Sequence, residues 1–135
     1  ELGKVVSVER EVFPNLLKRG KVVQAFVDDS YWLDMGTPKA LLKGSQDYVG
    51  NNDFIVGDNS NISTSAKITG GSAIGNNVTI GANVEITSSI VRDGVTISEN
   101  AILESVFIEA NTTVAEKTKA KGAYLAGGEV IALKL

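Results

Sequence analysis

A chain of 135 residues with 43% hydrophobic and 21% charged residues has room for one ordinary domain and lies far from the disordered class. Its net charge of -3 offers no basic face for nucleic acid, and no apolar run approaches the roughly 18 residues of a membrane span. The absence of cysteine excludes disulfides and thiolate metal sites, and the absence of histidine excludes imidazole bases, Ser-His triads and His-ligated zinc. The amino terminus lacks the basic-then-apolar build of a signal peptide, so a cytoplasmic protein is expected. Because the chain opens on Glu1 and holds its sole methionine at Met35, a piece of a longer protein is also expected.

From Ser7 the apolar residues Val8, Val12, Phe13, Leu16 and Leu17 fall on one stripe of a helix, which ends at Gly20 after Lys18 and Arg19. Pro14 lacks an amide hydrogen and is expected to kink or split that helix. Residues 21–33, KVVQAFVDDSYWL, read as a strand, or two strands bent at the turn residues Asp28 and Asp29. A short helix follows over TPKALLKGSQDYV, with Thr37 as N-cap and Pro38 at the first helical position. Between these two elements Asp34 stands beside the only Trp and the only Met. A carboxylate in that setting is solvated, paired or metal-bound, since burying it alone costs several kcal/mol or leaves it protonated. Trp32 and Met35 are expected to anchor the backbone on either side of it.

Beyond residue 52 the grammar changes. Val56, Ile62, Ile68, Ile74, Ile80 and Ile86 recur at an unbroken spacing of six, and the phase then slips by one at Val91 and again at Ile108. The series continues through Ile97, Leu103 and Val114, making twelve short rungs if Ala120 is included. Gly75 and Gly81 directly follow the apolar position, and Val78 and Val84 lie four residues after it. Two to four extended residues make a flat face, and a corner residue with positive φ, easiest for Gly, Asn or Asp, turns the chain onto the next. Three such faces close a coil of eighteen residues, which would stack each Ile on the Ile one coil below, about 4.8 Å away. A meander of antiparallel strands would instead show a period of two with irregular loops.

The run from Ser72 to Ile86, SAIGNNVTIGANVEI, resembles the hexapeptide repeats of left-handed parallel β-helix proteins, and the left hand is implied by that resemblance alone. The preceding half, with EREVFP followed by WLDMGTP, resembles the end of the catalytic domain of sugar nucleotidyltransferases, most closely the mannose-1-phosphate guanylyltransferase group. The resemblance implies a mainly β chain: residues 1–52 as the C-terminal α/β remnant of a nucleotidyltransferase domain, and residues 53–135 as a left-handed β-helix. It implies that Asp34, at the acidic position of the W-x-D-x-G-T segment, is a catalytic residue and a magnesium ligand. Glu9 and Arg10 fall near the family's sugar-side segment, with a solvated helix face as the other reading.

What the family does then follows as an expectation. The complete enzyme would join a nucleoside triphosphate, here GTP, to a sugar 1-phosphate, here mannose 1-phosphate, and release pyrophosphate, with Mg²⁺ as cofactor. The sugar phosphate is itself the nucleophile, so the missing histidine costs this reading nothing. The β-helix would serve assembly or regulation, as a homo-oligomer, with no nucleic-acid or membrane partner. The chain alone is expected to be inactive, because the phosphate-cradling loop and the second metal carboxylate lie upstream in that family. Gly70-Gly71 and Gly127-Gly128 read as corners rather than a phosphate cradle. Two other classes stay open: a hexapeptide-repeat acyltransferase, disfavoured by the absence of a histidine base, and a non-catalytic assembly module.

Overall fold

The computed structural model describes residues 3–135. The chain divides into two compact units, Glu1–Trp32 and Leu33–Leu135.

In the first unit a π-helical turn, Val8–Val12, runs into α1 (Phe13–Lys18). The change of helical type falls beside Pro14, as the missing amide hydrogen demands. The helix stops in a Schellman motif: the Gly20 amide donates to the Leu17 carbonyl at 2.9 Å and the Lys21 amide to that of Leu16 at 3.0 Å, with Gly20 at φ +67°. No residue of the apolar stripe is buried. The strand expected over residues 21–33 is absent, because no ladder forms there and a strand exists only where a neighbour completes its hydrogen bonds. The bend is present. Asp28 accepts hydrogen bonds from the amide and hydroxyl of Ser30, and these two bonds hold its carboxyl below its ordinary value.

The second unit opens with α2 (Pro38–Val49), capped as its sequence requires: Thr37 Oγ1 accepts from the Ala40 amide at 3.2 Å, Pro38 begins the first turn, and Gly50 ends the last at φ +66°. Twelve short strands follow, each containing one rung residue. The first coil comprises β1 (Phe54–Val56), β2 (Asn61–Ile62) and β3 (Lys67–Thr69); the second β4 (Ser72–Ile74), β5 (Thr79–Ile80) and β6 (Glu85–Thr87). The third has β7 (Ile90–Val91), β8 (Thr96–Ile97) and β9 (Ile102–Glu104), and the fourth β10 (Phe107–Ile108), β11 (Thr113–Val114) and β12 (Lys119–Lys121). A hairpin of β13 (Ala123–Ala126) and β14 (Glu129–Ala132) closes the stack across Gly127-Gly128, both at positive φ.

Every third strand pairs in parallel, giving three sheets in the orders β1-β4-β7-β10-β13-β14, β2-β5-β8-β11 and β3-β6-β9-β12. This mainly β unit is a parallel β-helix of about four coils. Rung residues stack in register, Ile62 on Ile80 on Ile97 on Val114, and Ile68 on Ile86 on Leu103 on Ala120. Ile68 and the rung residues from the second coil onward form one core with Val78, Val84, Val95 and Ala101, each four places after a rung residue, and with Val106, three places after Leu103. Val56 in the first rung stays 40% exposed, whereas Ile68 at the end of the same coil is 6% exposed, so the column closes within the first coil. Ile80 is 2% exposed between Ile62 and Ile97. Replacing it with Ala should cost about 2–5 kcal/mol in a denaturant melt, through lost transfer energy and a cavity the stacked coils cannot collapse into; a loss under about 0.5 kcal/mol would contradict a shared interior column.

Candidate functional site

The three faces of the prism differ in what they show outward. The residue just before the interior one is Asn61, Thr79, Thr96 and Thr113 on the second face, and Lys67, Glu85, Ile102 and Lys119 on the third. On the first face it is Ile55, Ala73, Ile90, Phe107 and Tyr124, all half-buried. That outward apolar row gives α2 a surface to lie on. The helix packs on β4 and buries Leu42 and Val49, to 7% and 2% exposure. It comes close enough that a Cβ on Gly71 would sit 3.2 Å from the Gln46 side chain.

The segment that carries Asp34 leads into this helix. Asp34 is exposed, and its Oδ1 accepts the Gly36 amide at 2.8 Å, a local turn that fixes the carboxylate without burying it. The anchoring differs from the expectation for Trp32, which is 81% exposed and pins nothing. Leu33 and Met35 do the anchoring. Both reach over Gly44 of α2, where an added Cβ would lie 2.8 Å from Met35 Sδ and 3.2 Å from Leu33 Cδ2. A mid-helix glycine costs about 1 kcal/mol relative to alanine, and here close approach accounts for it. Neighbours of one residue on an extended segment point to the same side, so seating Leu33 and Met35 turns Asp34 the other way, toward solvent.

Beside this segment an open cleft of about 390 Å³ separates Met35, Pro38 and Leu41 from Phe107, Glu109 and Tyr124 of the prism. Phe107 and Tyr124 stack with ring centroids 5.5 Å apart. Glu109 gathers the polar groups at this edge: its Oε2 accepts the Tyr124 hydroxyl at 2.7 Å, and its Oε1 accepts the Ala110 amide at 3.0 Å and pairs with Arg92. Sequence reasoning singled out none of these three side chains. The signal was the outward position of every third rung, read only for its inward partner.

Glu9, on the π-helical turn, is exposed, and nothing among the described residues gathers three acidic, His or Cys side chains around a metal-sized space. Among the described residues, Asp34 thus stands as an isolated carboxylate rather than part of a metal-binding cluster. That fits magnesium, which takes one or two carboxylates together with waters and phosphate oxygens, and Asp34 keeps Oδ2 clear of the Gly36 bond.

The Tyr124 hydroxyl, then the Ala110 amide, hold the Glu109 carboxyl below its ordinary 4.5 against the opposing effect of burial, and the Arg92 charge adds a lesser push in the same direction. The same bond pushes the Tyr124 phenol above 10.0. The stabilisation from Glu109 is thus present above 4.5 and lost as pH falls through its lowered value; that from Tyr124 is present below 10.0 and lost as pH rises through its raised value. Tyr124→Phe should move the Glu109 titration midpoint, followed by carboxyl ¹³C NMR, upward toward 4.5. An unmoved midpoint would mean that the amide and Arg92 alone set it.

Residues 50–134 match the family described as the GMPPB C-terminal domain. A mannose-1-phosphate guanylyltransferase of Mycobacterium tuberculosis is 34% identical over 105 residues, covering 69% of this chain and 29% of that protein. A mannose-1-phosphate guanyltransferase of Debaryomyces hansenii is 36% identical over 76 residues, covering 48% of this chain and 21% of that protein. The chain thus spans less than a third of the length of these relatives. No helix among the described residues is long and apolar enough to cross a membrane.

Proposed function

This chain belongs to the GMPPB C-terminal domain family, the β-helical region of a sugar nucleotidyltransferase, and we propose that it serves a cytoplasmic enzyme that makes GDP-mannose from GTP and mannose 1-phosphate. The observation that carries this reading is the 34% identity over 105 residues to the mycobacterial guanylyltransferase, a stretch longer than the β-helix alone. In the reaction a phosphate oxygen of the sugar 1-phosphate forms a bond to the α-phosphorus of the triphosphate, and the bond to pyrophosphate breaks, so no side-chain nucleophile is needed. A chain without Cys or His is compatible with that chemistry.

Asp34 is the residue of this chain proposed to touch the reacting groups. When bound, Mg²⁺ neutralises charge on the phosphates. Asp34 would hold it through one carboxylate oxygen while the other keeps the turn to Gly36. Further ligands are proposed to come from the rest of the nucleotidyltransferase domain, since no group of three acidic, His or Cys side chains gathers around a metal-sized space among the described residues. Glu9 is proposed, from the resemblance alone, to lie toward the sugar. The exposed apolar side chains of residues 5–32, among them Val22 at 90% and Phe26 at 92%, support a role for this stretch as part of a larger α/β layer. The β-helix is proposed to serve assembly or regulation, as part of a homo-oligomer.

Asp34→Asn in the protein as its gene encodes it tests the reading. The amide oxygen still accepts the Gly36 hydrogen bond, so the melt should shift little, while kcat should fall by about 10² to 10⁴. Activity retained with a loss of up to about 2 kcal/mol in stability would make Asp34 a turn residue only.

A further inference from the structure

We infer that Gly44 is a positioning residue for the Asp34 carboxylate, the seat through which the β-helix sets the place of a group it does not itself touch. The inference rests on the proposed role of Asp34. Four links make the connection, all within the second unit. The prism's first face holds α2 through buried Leu42 and Val49 and through the close approach of Gln46 to Gly71. On the same helix Gly44 presents bare backbone where a Cβ would displace Met35 Sδ, at 2.8 Å, and press on Leu33 Cδ2, at 3.2 Å. Leu33 and Met35 are the two residues flanking Asp34, so one seat fixes the backbone on both sides of it. The Gly36 amide then fixes the carboxylate itself, at 2.8 Å from Oδ1.

Bulk at this seat therefore acts on Asp34 without touching it. Alanine displaces chiefly the thioether of Met35, a flexible end. Leucine evicts both flanking side chains, and because leucine is a strong helix former it leaves α2 itself intact. The expected signature is loss of metal affinity and rate with the fold retained.

The experiment compares Gly44→Leu with Asp34→Asn, and with Tyr48→Leu, an exposed control on the same helix. Mn²⁺ binding is read by electron paramagnetic resonance, and turnover is measured alongside it, in the protein as its gene encodes it. In the 135-residue chain, ¹⁵N relaxation reports the order of residues 34–36. Gly44→Leu should weaken Mn²⁺ binding and lower kcat by about 10- to 100-fold. Order at Gly36 should fall, while Tyr48→Leu changes none of these. Wild-type affinity, rate and Gly36 order in Gly44→Leu, with Asp34→Asn impaired, would overturn the seat and leave the metal reading standing. An unimpaired Asp34→Asn would overturn the metal reading and, with it, the role of Gly44, whatever Gly44→Leu does. Should Gly44→Leu fail to fold, Gly44→Ala takes its place, expected to weaken Mn²⁺ binding by less than Gly44→Leu would; wild-type affinity there would likewise overturn the inference.

Discussion

A coil of the prism is useful only if it returns to the height of one strand spacing above the coil below, and the whole structure depends on that closure. The requirement falls on the corners. Asn59, Asn77, Asn83, Asn100 and Asn111 take φ between 55° and 61°, and Ser88, Ser105 and Lys117 take similar values. A left-handed residue other than glycine costs roughly 1–2 kcal/mol, least for asparagine, whose side chain can bond locally. Bonds between coils oppose that cost. Asn76 Oδ1 accepts the Asp58 amide and Asp93 Oδ1 accepts the Asn76 amide, each at 2.7 Å, so one external corner is laced from the first coil to the third. Inside, the polar exceptions are equally accounted for: Ser72 Oγ donates to the Thr69 carbonyl and accepts the Ser89 amide, and Ser89 repeats the pattern with Thr87 and Val106. The Ser89 and Val106 amides find their acceptors in these buried hydroxyls, while the Thr69 and Thr87 carbonyls also accept the Ser88 and Ser105 amides of the next coil.

Once the coils are in register, the outward positions are free to differ, and the faces specialise. The second face carries a threonine column and the third carries ion pairs such as Lys67–Glu85 and Lys121–Glu104. Exposed pairs of this kind contribute little to stability. They do keep two faces soluble while the first holds α2. The division of labour is physical: the interior column supplies stability, and one exterior row supplies a platform rigid enough to hold a helix and the segment before it.

Much of this was legible because a single period governs it. Each of the twelve rung residues, from Val56 to Ala120, lies in its own strand, and Thr37-Pro38 starts α2 where cap chemistry placed it. The failures have separate causes. Residues 21–33 have strand composition, yet composition supplies no partner, and a strand is a pairwise object. The β13–β14 hairpin is written in AYLAGGEVIA, an alternating run around two glycines, a signal separate from the hexapeptide period. At the site, Asp34 was visible as a charge among large apolar residues. Gly44 and Glu109 were not: a glycine in a helix and an acid at a corner acquire their roles only from what the fold brings over them.

The slip in the repeat belongs to the same logic. Rungs of the first coil pair eighteen residues on, as Val56 with Ile74, whereas later rungs pair seventeen on, as Ile74 with Val91. The difference sits at one corner, where Gly70 and Gly71, at φ +68° and +72°, do what Ser88 and Ser105 later do with one positive-φ residue each. The extra residue lies where α2 meets the prism, with Gln46 against Gly71. A corner of two glycines leaves room for a helix backbone that a serine corner would push away, since a Cβ on Gly71 already falls within 3.3 Å of Gln46 Cα. The irregularity in the period thus marks the point at which the solenoid stops being a repeat and becomes a support for the segment that carries Asp34.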